Sequence, residues 1–296
     1  MRTPSPNPYL LLTLTALFWS GNMVVARGVH EAVPPFALAF WRWAIALALV
    51  LPFALPHLRN EWPAVRRHWR ALVVLGLLSV ASYNTFVYIA LQYTTATSAT
   101  MLNSFIPVAT IAFAFVLLGK RLSPLETAGV VLSLAGVLTI VARGSLDTLL
   151  GLELNRGDLW MLLAVLTWGL YTVGLNWRPA GLHAMLLLAA MTVIGVAALV
   201  PFYAWELYGG RFIEGSPGTW LAILYIGVFP GFVGYVFYNA GIAAVGPNRG
   251  ALFIHLMPVF GTLLAIAFLG ERPFWFHFAG ISLVFAGIWL TTRRKT

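Results

Sequence analysis

The chain has 296 residues, 60% of them hydrophobic and only 9% charged, and its mean hydropathy is +0.86. Soluble domains carry about a quarter charged residues, so a soluble fold is excluded and a polytopic membrane protein is expected. The net charge of +9 does not describe a nucleic-acid surface, because Lys and Arg fall in short gaps between apolar runs, where they mark topology. The lack of cysteine excludes disulfides, thiol catalysis and Cys-ligated metal.

Ten stretches of about 20 apolar residues, the length that spans a bilayer, occupy 8–26, 34–56, 71–91, 97–118, 122–142, 157–177, 182–205, 218–243, 247–269 and 273–292. No small-residue cleavage site follows the first, which reads as a retained helix rather than a removed signal; it carries Trp19 and Asn22. The second holds Arg42 in "FWRWA", roughly 12 Å from the outer end at 1.5 Å per residue. The favoured reading is that Arg42 snorkels outward between Trp41 and Trp43; the other is that it attracts a substrate carboxylate. The basic stretch "HLRNEWPAVRRHWR" between the second and third spans suits an interfacial amphipathic segment.

The third span carries Tyr83, Asn84 and Tyr88. The fourth carries Thr97, Thr100, Asn103, Ser104, Pro107 and Thr110 in steps of three and four, which make one stripe. The sixth contributes Trp168 and Tyr171, and the eighth Tyr235, Tyr238 and Asn239 beside Gly227 and Gly231, which read as a GxxxG packing face. The ninth repeats the stripe of the fourth with Asn248, Ala251, His255, Pro258 and Thr262. Such stripes suit either a cavity wall or a helix contact.

Residues 107–136 lie over 258–287 at a constant offset of 151, with 11 of 30 positions identical, among them the proline, three glycines and an arginine. The chain therefore divides into repeats 1–145 and 146–296, integrated into one transport domain. Each has five spans, an odd number, so the second enters the membrane inverted. The expected fold is all-α, with ten transmembrane helices as two inverted five-helix repeats around a central cavity. Lys and Arg number 12 on the side of the N-terminus and 5 on the other, which places both termini in the cytoplasm.

Paired five-helix halves, each with a Pro-bearing fourth helix, an "LGK" or "LGE" end (Lys120, Glu271) and a Gly-rich fifth helix, resemble the EamA-type drug/metabolite transporters. Within that group the chain is most similar to the YddG-type amino-acid exporters of bacterial inner membranes. The resemblance implies a multi-pass secondary transporter exporting amino acids and related small metabolites by alternating access, and it is the source of the outward direction.

The residues expected to bind solute are Trp19, Asn22, Tyr83, Tyr88, Asn103, Trp168, Tyr171, Tyr235, Tyr238, Asn239 and His255, with Trp19 and Trp168 as opposing walls of the chamber. Tyrosines near mid-span bury a ring and need a hydroxyl partner, which suits apolar or aromatic solutes with a polar end. Pro107 and Pro258 are expected to break their helices and act in gating. All nine acidic residues fall in loops or at helix ends, so a proton antiporter of cationic drugs lacks its usual mid-membrane carboxylate. That favours facilitative transport, with proton coupling through His255, or efflux of drugs or nucleosides, as the alternative. No enzyme motif, cofactor or metal site is expected. The partners are small solutes and membrane lipids, with no nucleic acid, and the chain is expected to be a monomer.

Overall fold

The computed structural model describes residues 7–145, 147, 155–269 and 274–292. Among these, ten helical segments have membrane length: α1 Pro8–Gly28, α2 Pro35–Arg67, α3 Trp69–Tyr93, α4 96–118, α5 Pro124–Val141, α6 Arg156–Trp177, α7 Ala184–Tyr208, α8 Pro217–Val245, α9 247–269 and α10 Trp275–Thr292. The described residues include no strand. The protein is an all-helical, multi-pass membrane protein, because only helices that satisfy their own backbone can cross lipid this way.

One expectation is corrected. The basic stretch 57–70 does not lie between the spans: up to Arg67 it is the C-terminal end of α2, which runs on through Pro52, Pro56 and Pro63, and Trp69 and Arg70 begin α3. All three prolines are exposed, while Ala54 between them is buried. Each ring removes one backbone bond, yet the helix continues because α2 packs along α7. Carboxylates fasten this pair at both ends. Glu206 of α7 accepts the N–H groups of Phe36 (3.2 Å) and Ala37 (2.8 Å) at the start of α2. Glu61 of α2 accepts the N–H of His183, the residue that caps α7, at 2.6 Å. Anionic groups are favoured at such helix starts.

The packing repeats when the halves are exchanged. α1 lies on α8 and α9, and α6 lies on α3 and α4; α2 lies on α8, and α7 lies on α3. Wide-turn π segments interrupt α3 at Leu77–Tyr83 and α8 at Gly227–Val233, an offset of 227 − 77 = 150. α4 breaks between Ala96–Asn103 and Ile106–Leu118. α9 tightens into a 3-10 turn over Leu252–His255 at the matching place.

α5 and α10 meet through glycine. A Cβ on Gly136 would lie 2.6 Å from the Gly280 carbonyl oxygen, and one on Gly129 would lie 2.6 Å from that of Gly287. Gly280 and Gly287 are the repeat mates of Gly129 and Gly136, so each glycine meets the mate of the other. Such close backbone approach is the usual basis of helix association in lipid, where no hydrophobic force separates helix from tail. Gly136→Ala is expected to lower stability by about 1–3 kcal/mol through overpacking against backbone that cannot yield. Gly261→Ala, whose new methyl would first meet Ser20 Oγ at 3.4 Å, is expected to be neutral; thermal melts of the purified variants in detergent compare the two.

Candidate functional site

Trp19 of α1 and Trp168 of α6 meet edge to face in the middle of the bundle, with ring centroids 5.0 Å apart and planes at 90°. This is a favoured geometry for two aromatic quadrupoles. Tyr83 (4.4 Å), Tyr171 (5.0 Å), Tyr235 (5.4 Å) and Tyr238 (5.3 Å) surround the Trp168 ring. All six side chains are buried. The residues expected to line a chamber thus lie together, but in this conformer they fill the space between them.

Each phenol has a polar partner. Tyr83 donates to Asn103 Oδ1 (2.9 Å), Tyr88 to Asn22 Oδ1 (3.1 Å), Tyr171 to Asn239 Oδ1 (2.6 Å) and Tyr235 to the Ser79 carbonyl (2.9 Å). The Tyr238 hydroxyl accepts the Trp168 indole N–H at 3.2 Å and lies 2.8 Å from Thr172 Oγ1. The Asn103 amide also reaches Met257 Sδ of α9 at 3.4 Å. These residues lie on six helices and bond in separate small sets, which the packed rings bring side by side.

Arg42 does not snorkel outward. It is 1% exposed, and its guanidinium points to the Asn22–Tyr88 pair. Nη1 donates to Asn22 Oδ1 and to the Tyr88 hydroxyl, both at 2.9 Å, and Nη2 donates to the Pro230 carbonyl at 3.0 Å. The rings of Trp43 and Tyr235 flank the cation at 5.3 and 6.0 Å, where their π faces attract it. The acceptor exists because of the π segment. The Gly234 N–H reaches five residues back to Phe229, and the Pro230 carbonyl is turned to side chains, taking Trp19 Nε1 (3.0 Å) as well as Arg42. A Cβ on Gly231 would lie 3.0 Å from the Ile226 carbonyl oxygen and in ordinary contact, 3.5 Å, with Arg42 Cγ of α2. Gly227 meets Ile45 of the same helix, so these two glycines form a packing face toward α2. A fixed charge therefore does lie in the membrane interior, and sequence reasoning missed its direction. Its visible signals were a lone arginine, Arg42, and an in-helix proline, Pro230, both within apolar spans.

The structure places His255 apart from the aromatic rings. It is fully buried between α4, α5 and α9. Nε2 donates to the Ser104 carbonyl at 2.8 Å, so Nδ1 is left to accept the Ser133 hydroxyl at 2.5 Å. Ser104 is the repeat mate of His255, and the two meet where α4 and α9 are interrupted, one turn before Pro107 and Pro258. The buried carboxylates among the described residues are Asp158 and Glu206, both at helix ends. Asp158 closes a capping box with Asn155 and accepts from Thr94 Oγ1 at 2.9 Å. Among the described residues no cluster of His, Asp or Glu is arranged to hold a metal. The side chain of Thr97 and all of Glu271 lie outside the described residues.

A model of the EamA-like transporter family matches residues 7–142 and 155–293. The chain belongs to the EamA-like transporter family. It is 29% identical over 287 residues to an uncharacterized transporter of Archaeoglobus fulgidus, covering 97% of this chain and 98% of that one. It is 25% identical over 286 residues to the uncharacterized transporter YyaM of Bacillus subtilis, covering 95% and 92%. A chloroplastic WAT1-related protein of Arabidopsis thaliana shares 24% over 283 residues, covering 92% and 65%. A crystal structure superposes with a TM-score of 0.76 at 21% identity, over 96% of this chain and 97% of that one, which is a likeness of fold. This EamA-like protein is a membrane transporter of small solutes.

Loss of the His255 ring would leave the Ser104 carbonyl and the Ser133 hydroxyl unpaired in the interior. His255→Ala is therefore expected to cost about 1–3 kcal/mol of stability, and Ser133→Ala less, because it leaves only Nδ1 without a partner. Melting midpoints of the two variants in the same detergent read the order.

Proposed function

We propose that this EamA-like transporter exports amino acids, aromatic and apolar ones included, by facilitated alternating access, as the YddG-type exporters it resembles do. The repeats 1–145 and 146–296 act as one unit and rock about their junction. The protein resides in a bacterial inner membrane as a monomer with both termini in the cytoplasm, the side carrying more Lys and Arg.

The observation that carries this reading is the Trp19–Trp168 contact. These residues come from the first helix of each half and meet edge to face at the centre of the bundle, with ring centroids 5.0 Å apart. In a transporter built of inverted repeats, the site lies between the halves near the midplane. Rings that part there expose two aromatic walls and the hydroxyls and amides of Tyr83, Tyr171, Tyr238, Asn103 and Asn239, which exchange their mutual bonds for bonds to a solute. Neutral donors and acceptors of this kind fit a zwitterion with an apolar side chain better than a cationic drug, for which an interior carboxylate would be needed.

Flux of labelled phenylalanine into proteoliposomes tests this. Uptake down its own gradient is expected without a pH difference. Trp168→Ala is expected to slow it about tenfold, the equivalent of roughly 1.4 kcal/mol, the size of one lost aromatic contact. Flux that collapses when the pH gradient is removed would instead support a proton-coupled carrier.

A further inference from the structure

Arg42 is held in place by groups that cannot neutralise it. Its three hydrogen bonds go to an amide oxygen, a phenol and a backbone carbonyl. The ion pairs among the described residues join His30 to Glu31, His57 to Glu61, Arg211 to Glu206 and Arg249 to Glu126; none includes Arg42. A guanidinium has five N–H donors. Two of them, the one on Nε and one on Nη2, are unclaimed, and Nε is fully buried without a partner. A buried charge left unpaired costs several kcal/mol, and intramembrane ionisable groups retained at such cost mark solute or ion pathways. A purely structural cross-link between α1, α2, α3 and α8 needs donors but not a charge.

The surroundings restrict what anion would fit. Among the described residues no second cation bonds to the groups that hold Arg42, so the site suits a single negative charge rather than a phosphate gripped by several cations. The unclaimed donors suit a planar oxyanion. Trp43 and Tyr235 cover the cation from the side, and Trp19 shares its Pro230 acceptor. Whatever binds at Arg42 therefore places its remaining bulk among aromatic rings.

We propose that Arg42 is the anion-recognition residue of this transporter, taking the carboxylate of a solute whose apolar body lies against the Trp19–Trp168 rings. The inference rests on the reading that this aromatic junction is the solute path. The carboxylate fills the unclaimed Nε and Nη2 donors, while Asn22 and Tyr88 keep Nη1 in place. The amine of an amino acid is not required for this step, so simple aromatic carboxylates are ligands too.

Binding to the purified full-length protein, measured by calorimetry and by the shift in melting midpoint, tests the proposal with matched pairs. These are phenylalanine against phenylalaninamide, and 3-phenylpropanoate against 3-phenylpropanamide. In the wild type at least one acid is expected to bind about tenfold or more tightly than its amide, a difference of about 1.4 kcal/mol. Arg42→Gln is expected to erase the preference, and Arg42→Lys, which keeps the charge, to retain part of it. Equal responses to acid and amide in the wild type, no response to either included, would overturn the assignment. So would an Arg42→Gln protein that folds and still prefers the acid. Should Arg42→Gln not fold, the wild-type pairs and Arg42→Lys decide. Binding of 3-phenylpropanoate but not phenylalanine would leave Arg42 as the anion site and sink the amino-acid reading instead.

Discussion

One backbone carbonyl, that of Pro230, accepts both the Trp19 indole and the Arg42 guanidinium at 3.0 Å. Three helices, α1, α2 and α8, meet at that oxygen. In lipid every backbone polar group must find a partner inside the protein, and α8 meets the demand in an unusual way. Its π segment takes one carbonyl out of the helical ladder and offers it to two side chains. The arginine is thereby drawn inward, and with it Asn22, Tyr88 and the phenols stacked behind them. The polar heart of the bundle is organised around a place where a helix fails to bond to itself.

The two halves share their scaffold and differ in their chemistry. Glycines at the α5–α10 seam, prolines after the breaks in α4 and α9, and π segments in α3 and α8 all occur in pairs. Trp19 and Trp168 form a pair of the same kind. Arg42 does not, since Met191 stands at the 149-residue offset that pairs Trp19 with Trp168, nor does His255, whose mate is Ser104. Backbone interruptions are thus properties of the repeat, whereas charge and imidazole belong to one half. A pseudo-symmetric frame with an asymmetric centre can present the same solute to two sides while holding it in one orientation.

Much of this was legible from the sequence. The spans were visible because roughly 20 apolar residues are needed to cross lipid, and the repeat was visible because Gly and Pro are not interchangeable with other apolar residues. The aromatic centre was found from tyrosines and tryptophans too deep to be interface anchors. Three things were hidden. The end of α2 was misplaced because proline ordinarily stops a helix, and only packing on α7 shows why it does not. The direction of Arg42 depended on the Pro230 carbonyl, freed by a change of helical pitch that a proline in an apolar span hints at but does not fix. The bonds of His255 depended on Ser133, far off in sequence and on another helix.

The carboxylates of Glu61 and Glu206 have a mechanical consequence. Each belongs to one helix of the α2–α7 pair and grips the start of the other, at opposite faces of the membrane. Sliding one helix past its neighbour by a single residue, 1.5 Å, would break both grips at once. The pair is thus pinned in register at two separate ends, and neither helix can shift along the other without loosening both.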